Sequence, residues 1–426
     1  MRQKNCWKLF AATVVGLIGL ADPAAAQVAP SYTLTDLGTL AGGTNSRAYG
    51  INASNEVVGY SEIAGGARRA TAWVGGVANN LGVLAGDGAS EARGVNAAGT
   101  IVGFSSDATP GTADKAVTFT IGGSPTNLNV IAGVTQPTSG PVLTQSRAEG
   151  ISPTGEIVGH VYSAGSFDNT ASFPAGVRGF YRSALGTVTR LDPTTITTFY
   201  PNDAALSYGI NATGQVFGQT DDGTGAQAAF RGSRWSLPTG AASTPSAIYP
   251  TASGSPTLTQ YLGFKGNNVS RMVGSATDIA GANSQAFASD GTTTTLLTNL
   301  GTGIIGIANA INNNALTNVI VGGTDTVGGG AEHATAWNWS ATPGALPSAA
   351  PIDLNTRLAS NPTGMVLEEA LDINDTGFIV GFGLVGGVEH AFLLSPVAVP
   401  EPGTLALCGF GLGGLALRTW RRRRQA

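Results

Sequence analysis

"ALDINDTGFIVGF", residues 370–382, admits two readings, and the choice between them decides the fold. In one, Asp372, Asn374, Thr376 and Gly377 stand where a calcium-binding loop places ligands one, three and five and its turn glycine. The twelfth position of such a loop is a bidentate Glu, and here it is Gly383. In the other reading the stretch is a β-hairpin: an apolar strand ending in Ile373-Asn374, a short polar turn, then a strand through Ile379, Val380 and Gly381.

Repetition elsewhere in the chain decides for the hairpin. The same grammar stands in "AYGINASNEVVGY" (48–60), "ARGVNAAGTIVGF" (92–104), "AEGISPTGEIVGH" (148–160) and "SYGINATGQVFGQ" (207–219). Two degenerate copies follow, "GFKGNNVSRMVGS" (263–275) and "ANAINNNALTNVIVGG" (308–323). Apolar anchors at 51, 95, 151, 210, 264, 311 and 373 give a spacing of 44 to 62 residues. The turn Asn (Ser152 in one copy) can hydrogen-bond the backbone two residues on. Gly99, Gly155, Gly214 or Gly377 comes three residues later, the type a left-handed turn position favours, and Asn55 holds that place in the first copy. Asp372 corresponds to Gly50, Gly94, Gly150 and Gly209, so the would-be ligands do not recur, and Asp372→Ala is expected to do little.

Two further short elements accompany each hairpin. One follows it: "RATAW" (69–73), "KAVTF" (115–119), "RGFYR" (178–182), "QAAFR" (227–231), "QAFAS" (285–289), "HATAW" (333–337) and "HAFLL" (390–394). Another, ending in Asp-Leu or Asn-Leu, precedes it, as in "YTLTDLGTL" and "PIDLNTRL", with a blurred copy between 232 and 262. On these residues, and on His390, Ala391 and Phe392 above all, the chain resembles extracellular HAF-repeat proteins. Four short strands per unit, seven units over, is the grammar of a seven-bladed β-propeller. The chain therefore reads as all-β. The Asp-Leu strand at 32–37 has no partner before it, and the last unit stops at "HAFLL" with no such strand after it. Pairing the two would close the ring and hide both edges. A β-solenoid is the runner-up fold.

Both ends look processed. Residues 1–26 read as a signal peptide: Arg2, Lys4 and Lys8, an apolar run, then Ala24 to Ala26 as the cleavage site. Residues 397–426 carry Pro400, Glu401 and Pro402, a 15-residue apolar stretch short of a comfortable bilayer span, and the arginines Arg418 and Arg421 to Arg424. This tail resembles the PEP-CTERM sorting signal of Gram-negative bacteria. The resemblance implies a transient inner-membrane anchor, cleavage by an exosortase, and release or transfer to the cell surface or extracellular polysaccharide. A permanent tail anchor is the alternative. The propeller itself is expected over 27–396.

Three of the 22 Lys and Arg lie in the leader and five in the tail, while Asp22 and Glu401 are the only acids there. The remaining body has a net charge near −10, which argues against nucleic acid as a partner. Both cysteines, Cys6 and Cys408, fall in the end segments, so the body has neither disulfide nor thiol chemistry. No metal, cofactor or catalytic constellation is read from the sequence. His333 and His390 share a strand position held elsewhere by Arg69, Lys115, Arg178, Gln227 and Gln285, which suits strand residues better than ligands, and His160 stands alone. "GTGIIG" (301–306) and "GFGLGG" (409–414) match a dinucleotide fingerprint without its structural context. The pairs Asp221–Asp222 and Glu368–Glu369 are read as solvated turn acids, with calcium or glycosidase chemistry as the alternative. Beside the long Ser/Thr/Pro/Gly stretches, Tyr249, Tyr261 and Trp339 are the candidates for stacking on sugar rings, the other reading being partly buried loop anchors. The functional expectation is a secreted, non-enzymatic surface or exopolysaccharide-matrix protein, with a propeller glycan hydrolase or lyase as the alternative.

Overall fold

The computed structural model describes residues 31–397 apart from 108–112, 135–141, 164–176, 193–203, 222–229, 237–241, 253–257, 259, 279–281, 315–316, 329, 341, 343 and 349. Seven antiparallel sheets follow one another along the chain, one for each repeat. We number these blades 1 to 7 by their innermost strands: Ser46–Ile51, Ala89–Val95, Gln145–Ile151, Ala205–Ile210, Gln260–Gly266, Gly306–Ile311 and Val366–Ile373. Each innermost strand packs against those of its two neighbours, and the seventh packs against the first. The protein is a seven-bladed β-propeller.

Blade 7 closes the ring. Behind Val366–Ile373 come Ile379–Val385 and Val388–Pro396, and then Tyr32–Asp36 from the other end of the chain. Tyr32 pairs with Pro396, Leu34 with Leu394 and Asp36 with Phe392. Leu358–Ser360 adds a parallel fifth strand outside it, so the closing strand has a neighbour on both sides. The joint between blades 7 and 1 is packed like any other, with Leu37, Ile51, Trp73, Val380 and Ala391 in one buried cluster.

In every blade but the sixth, the hairpin behind the innermost strand has a three-residue loop whose last residue is left-handed: φ is 76° at Gly99, 94° at Gly155, 78° at Gly214 and 87° at Gly377, with Asn55 (63°) and Ser270 (65°) in the same role; in blade 6 the bond that closes the loop runs from Asn312 to Val319 and the loop is longer. Blades stack face on face, so middle strands such as "VVGYS" and "IVGFSS" are buried throughout rather than alternately. That explains the small charged fraction of 11%, because few strand faces reach water.

Three sequence expectations need adjustment. The third strand of blade 4 is Phe230–Ser236, not 227–231; it puts Trp235 opposite Val216, as Trp73 stands opposite Val57. The blurred fourth element resolves into Ala247–Ile248 in blade 4 and Ala242–Ser243, which adds a parallel fifth strand to blade 3. In blade 5 the anchor position falls on Gly266 rather than Phe264, and the Phe217 ring of blade 4 fills the space a side chain there would need.

Candidate functional site

The side chains on the propeller axis follow from one irregularity repeated seven times. Every innermost strand slips register by one residue, between Ala48 and Gly50 in blade 1 and between Ala370 and Asp372 in blade 7, with the equivalent step in the other five. The extra residue of such a bulge is re-aimed relative to its neighbours. Here the seven extra residues are Tyr49, Arg93, Glu149, Tyr208, Phe264, Asn309 and Leu371, and all of them line a 150 Å³ chamber on the axis. The residue before this position is small in every repeat and the one after it is Gly in the first four, while the position itself differs in almost every copy.

A second chamber of about 260 Å³ lies nearer the hairpin turns. Arg93, Glu149, Tyr208 and Lys265 border both and form the partition between them. In blades 1 to 4 the residue after the bulge is Gly, and the neighbouring blade comes close to three of these glycines: a side chain on Gly50 would start 3.0 Å from the Arg93 carbonyl, one on Gly150 3.1 Å from the Tyr208 carbonyl and one on Gly209 3.2 Å from the Lys265 side chain. Blades 5 and 7 place Lys265 and Asp372 there instead, and the two meet at 2.8 Å. The other oxygen of Asp372 accepts the Ile51 backbone N–H across the closing joint. Asp372 is therefore a bridging residue, which corrects the expectation that it does little.

Electrostatically the partition is close to balanced. Arg93 donates to Glu91 at 2.8 Å and lies over the Tyr49 ring at 4.1 Å. Burial pushes the Glu149 carboxyl above the usual carboxylate range, with Arg93 and Arg147 pulling the other way. Burial also holds His160 well below the usual histidine range, and Arg147 and Arg93 add to that. His160 is thus neutral behind Glu149, and their 3.6 Å approach is not an ion pair.

At the turn end a ring of side-chain hydrogen bonds joins the blades. The turn Asn of each repeat accepts from the backbone of its own loop, Asn52 Oδ1 from Ser54 and Glu56, and Asn374 Oδ1 from Thr376 and Phe378. Its Nδ2 donates to the carbonyl of the same residue one blade on: Asn52 to Asn96 (3.0 Å), Asn96 to Ser152 (3.4 Å), Asn211 to Asn267 (2.9 Å), Asn267 to Asn312 (3.4 Å), Asn312 to Asn374 (3.3 Å) and Asn374 back to Asn52 (3.0 Å). Ser152 has no amide to donate, and its hydroxyl turns to Glu156, so the joint from blade 3 to blade 4 lacks this bond. Asp375 belongs to a parallel chain of contacts, accepting from the Asn313 backbone at 2.8 Å as Asn313 accepts from Asn268. Both acids of "DINDTG" are joints between blades.

The aromatic candidates are not on the surface. Tyr249, Tyr261 and Trp339 are 2%, 1% and 1% exposed. The Tyr249 hydroxyl donates to the Ser270 carbonyl, Tyr261 packs edge-on to Phe287, and Trp339 donates to Ala345 beneath the Arg271 guanidinium. Rings so enclosed cannot stack on a sugar. They pack blades 4 to 6 together, and being beside a long loop says nothing about which way a ring faces. His333 and His390 sit on third strands and meet the Asp of the fourth strand, Asp353 at 2.8 Å and Asp36 at 3.0 Å. The pairing was legible: these are the two blades in which the Asp-Leu strand carries Asp rather than Asn opposite a His. Glu369 is folded against blade 6, accepting from Asn309 at 2.8 Å. Ala24, Ala26, Pro400, Glu401, Pro402 and Asp222 lie outside the described residues, as does the side chain of Asp221.

Residues 398–424 match the PEP-CTERM protein-sorting motif. The motif marks an exosortase substrate, sorted to the cell surface or secreted. It begins directly after Val397, whose backbone N–H donates to Ser31 beside the closing strand. Comparison with curated proteins finds no sequence match. Among solved structures, a mutant Trypanosoma rangeli sialidase displaying trans-sialidase activity is 9% identical over 78% of this chain and 56% of its own, with a TM-score of 0.38. The T. rangeli sialidase in complex with a difluoro-KDN compound is 10% identical over 82% and 57%, at 0.37. The six-bladed Aleuria aurantia lectin is 9% identical over 87% and 98%, at 0.32. The chain spans a little over half the length of these sialidases, and likenesses this distant carry no functional argument.

Proposed function

We propose that this sorted propeller acts at the cell surface or in the extracellular matrix as a non-enzymatic binding or structural component. The observation that carries the reading is the state of the acids on the axis. Glycoside hydrolysis takes two carboxyl groups flanking the bond at a set separation. Here Asp372 is held by Lys265 and Ile51 and Asp375 by Asn313, so among the described residues lining the two chambers Glu149 has no second carboxyl left without a partner. The Lys265–Asp372 contact joins blades that are not neighbours and so narrows the axial space on the side of blade 6.

The test is incubation of the secreted protein with the exopolysaccharide of the producing cell. Co-sedimentation without change in chain length is the expected result. Chain shortening that disappears in Glu149→Gln would overturn the reading in favour of a hydrolase or lyase.

A further inference from the structure

The bulge chamber holds several hydrogen-bonding groups that the protein leaves unused. Among the described residues, the hydroxyls of Tyr49 and Tyr208, the carboxyl of Glu149 and Oδ1 of Asn309 make no hydrogen bond to protein, although their residues line the same 150 Å³ space. Nε of Arg93 is buried without a partner. Buried polar groups are ordinarily satisfied, by protein or by something bound. Of these only Arg93 Nε is fully buried; the other four, on half-buried residues of four further blades, open onto the chamber, where water or a bound molecule can satisfy them.

Their chemistry narrows the occupant. Two are hydroxyls that both donate and accept, one is a donor, one an acceptor, and one a carboxyl able to do either when protonated. Phe264 and Leu371 add apolar wall, and Phe264 meets Tyr208 edge-on with ring centroids 5.5 Å apart. Lys265 is paired with Asp372, and Arg93 meets Glu91, which it shares with Arg68, with the Glu149 carboxyl also in its field, so an anionic guest finds no cation here without a carboxylate beside it.

We propose that this chamber binds one neutral, hydroxyl-rich unit of monosaccharide size, held by the bulge residues Tyr49, Arg93, Glu149, Tyr208 and Asn309. The proposal rests on the binding role above and names what is bound. A single sugar unit would sit with its ring hydroxyls to the polar bulge residues and its C–H faces to Phe264 and Leu371. The bulge explains how a repetitive fold builds an irregular site: seven positions are left out of the strand pairing and reach the axis, so each can be chosen separately.

The test is saturation-transfer NMR and calorimetry on the secreted protein with D-glucose, D-galactose, D-mannose and D-glucuronate, each up to about 10 mM, where weak sites with few contacts are still seen. At least one neutral hexose is expected to bind, at least tenfold more tightly than glucuronate. Leu371→Trp, which fills the chamber, should abolish that binding. Asn309→Leu should weaken it at least fivefold, and serves if Leu371→Trp loses cooperative unfolding. No hexose binding, preference for glucuronate, or binding unchanged by the variant that folds would each overturn the assignment. The outcome is independent of the polymer assay: a protein that shortens its polymer refutes the non-enzymatic role, and one that binds no hexose refutes only the chamber.

Discussion

Replacing Asn374 by Ser tests whether the ring of asparagine amides holds the blades together. The chain supplies its own precedent, since Ser152 fills the same place in blade 3 and its hydroxyl still accepts from Thr154 at 3.2 Å and Glu156 at 3.1 Å. Asn374→Ser should therefore keep its turn and lose only what the amide donates: the 3.0 Å bond to the Asn52 carbonyl and the 2.8 Å bond to Asn55 Oδ1. The Asn52 carbonyl keeps its turn bond from Asn55 at 3.1 Å, so no buried acceptor is stranded. The loss is then the net worth of one or two neutral bonds, about 1–2 kcal/mol. Ser152→Asn should do the reverse, supplying the missing donor to the Asn211 carbonyl for a gain of about 0.5–1.5 kcal/mol. Together the two variants should differ by about 1.5–3.5 kcal/mol, centred near 2.5. With an unfolding entropy of about 2.1 cal/mol/K per residue over roughly 370 residues, that is only about 2–4.5 °C in Tm, so urea midpoints are the better measure. Asn374→Ser within about 0.3 kcal/mol of the parent, together with a destabilising Ser152→Asn, would refute the reasoning.

Other expectations follow from the same contacts. Deleting 32–36 should destabilise far more than deleting 240–241, because Tyr32 and Leu34 are buried in the closing blade; equal effects would argue that blade 7 stands without its fourth strand. Gly377→Val should cost at least about 1 kcal/mol at a φ of 87°, read by chemical denaturation. Burial pushes the Glu369 carboxyl from its ordinary 4.5 up to about 7, with the Asn309 bond and Arg47 opposing and Glu332 and Glu368 adding. The folded protein then holds a proton that the unfolded chain has lost. Stability should fall as pH rises from about 4.5 to about 7, by on the order of 3 kcal/mol, and level off above; Glu369→Gln should flatten that slope. Intact mass of the secreted protein should show both Cys6 and Cys408 removed, and recovery of 27–426 from the medium would count against tail cleavage.

The hairpin grammar was legible because a turn needs particular residue types at fixed offsets, and "IN…G…IVG" supplies them in plain view. Closure was legible too, since an unpaired Asp-Leu strand at one end matched a missing one at the other. The axial site was not, for a physical reason: a bulge is a property of pairing between strands, and alternation along one strand does not say which residue is the extra one. A signal was present all the same. In "AYGI", "ARGV", "AEGI" and "SYGI" a single position varies between near-constant neighbours, and it is the one that reaches the axis. Asp372 was misjudged because its repeat counterparts are glycines; the comparison hid what a side chain gains when the ring finally has room for one.

The seam in blade 7 has a temporal side. Asp36 and His390 lie 354 positions apart, so a chain exported from its N-terminal end presents Tyr32–Asp36 long before Val388–Pro396 exists to receive it. Every other blade can assemble from neighbouring sequence as it emerges, and the last contact to form is the one that reports a complete molecule. A product truncated before Val388 keeps an unpaired edge open to proteases and to other chains. Because the sorting motif starts two residues after Pro396, the segment that releases the protein lies beside the one contact that certifies it is whole.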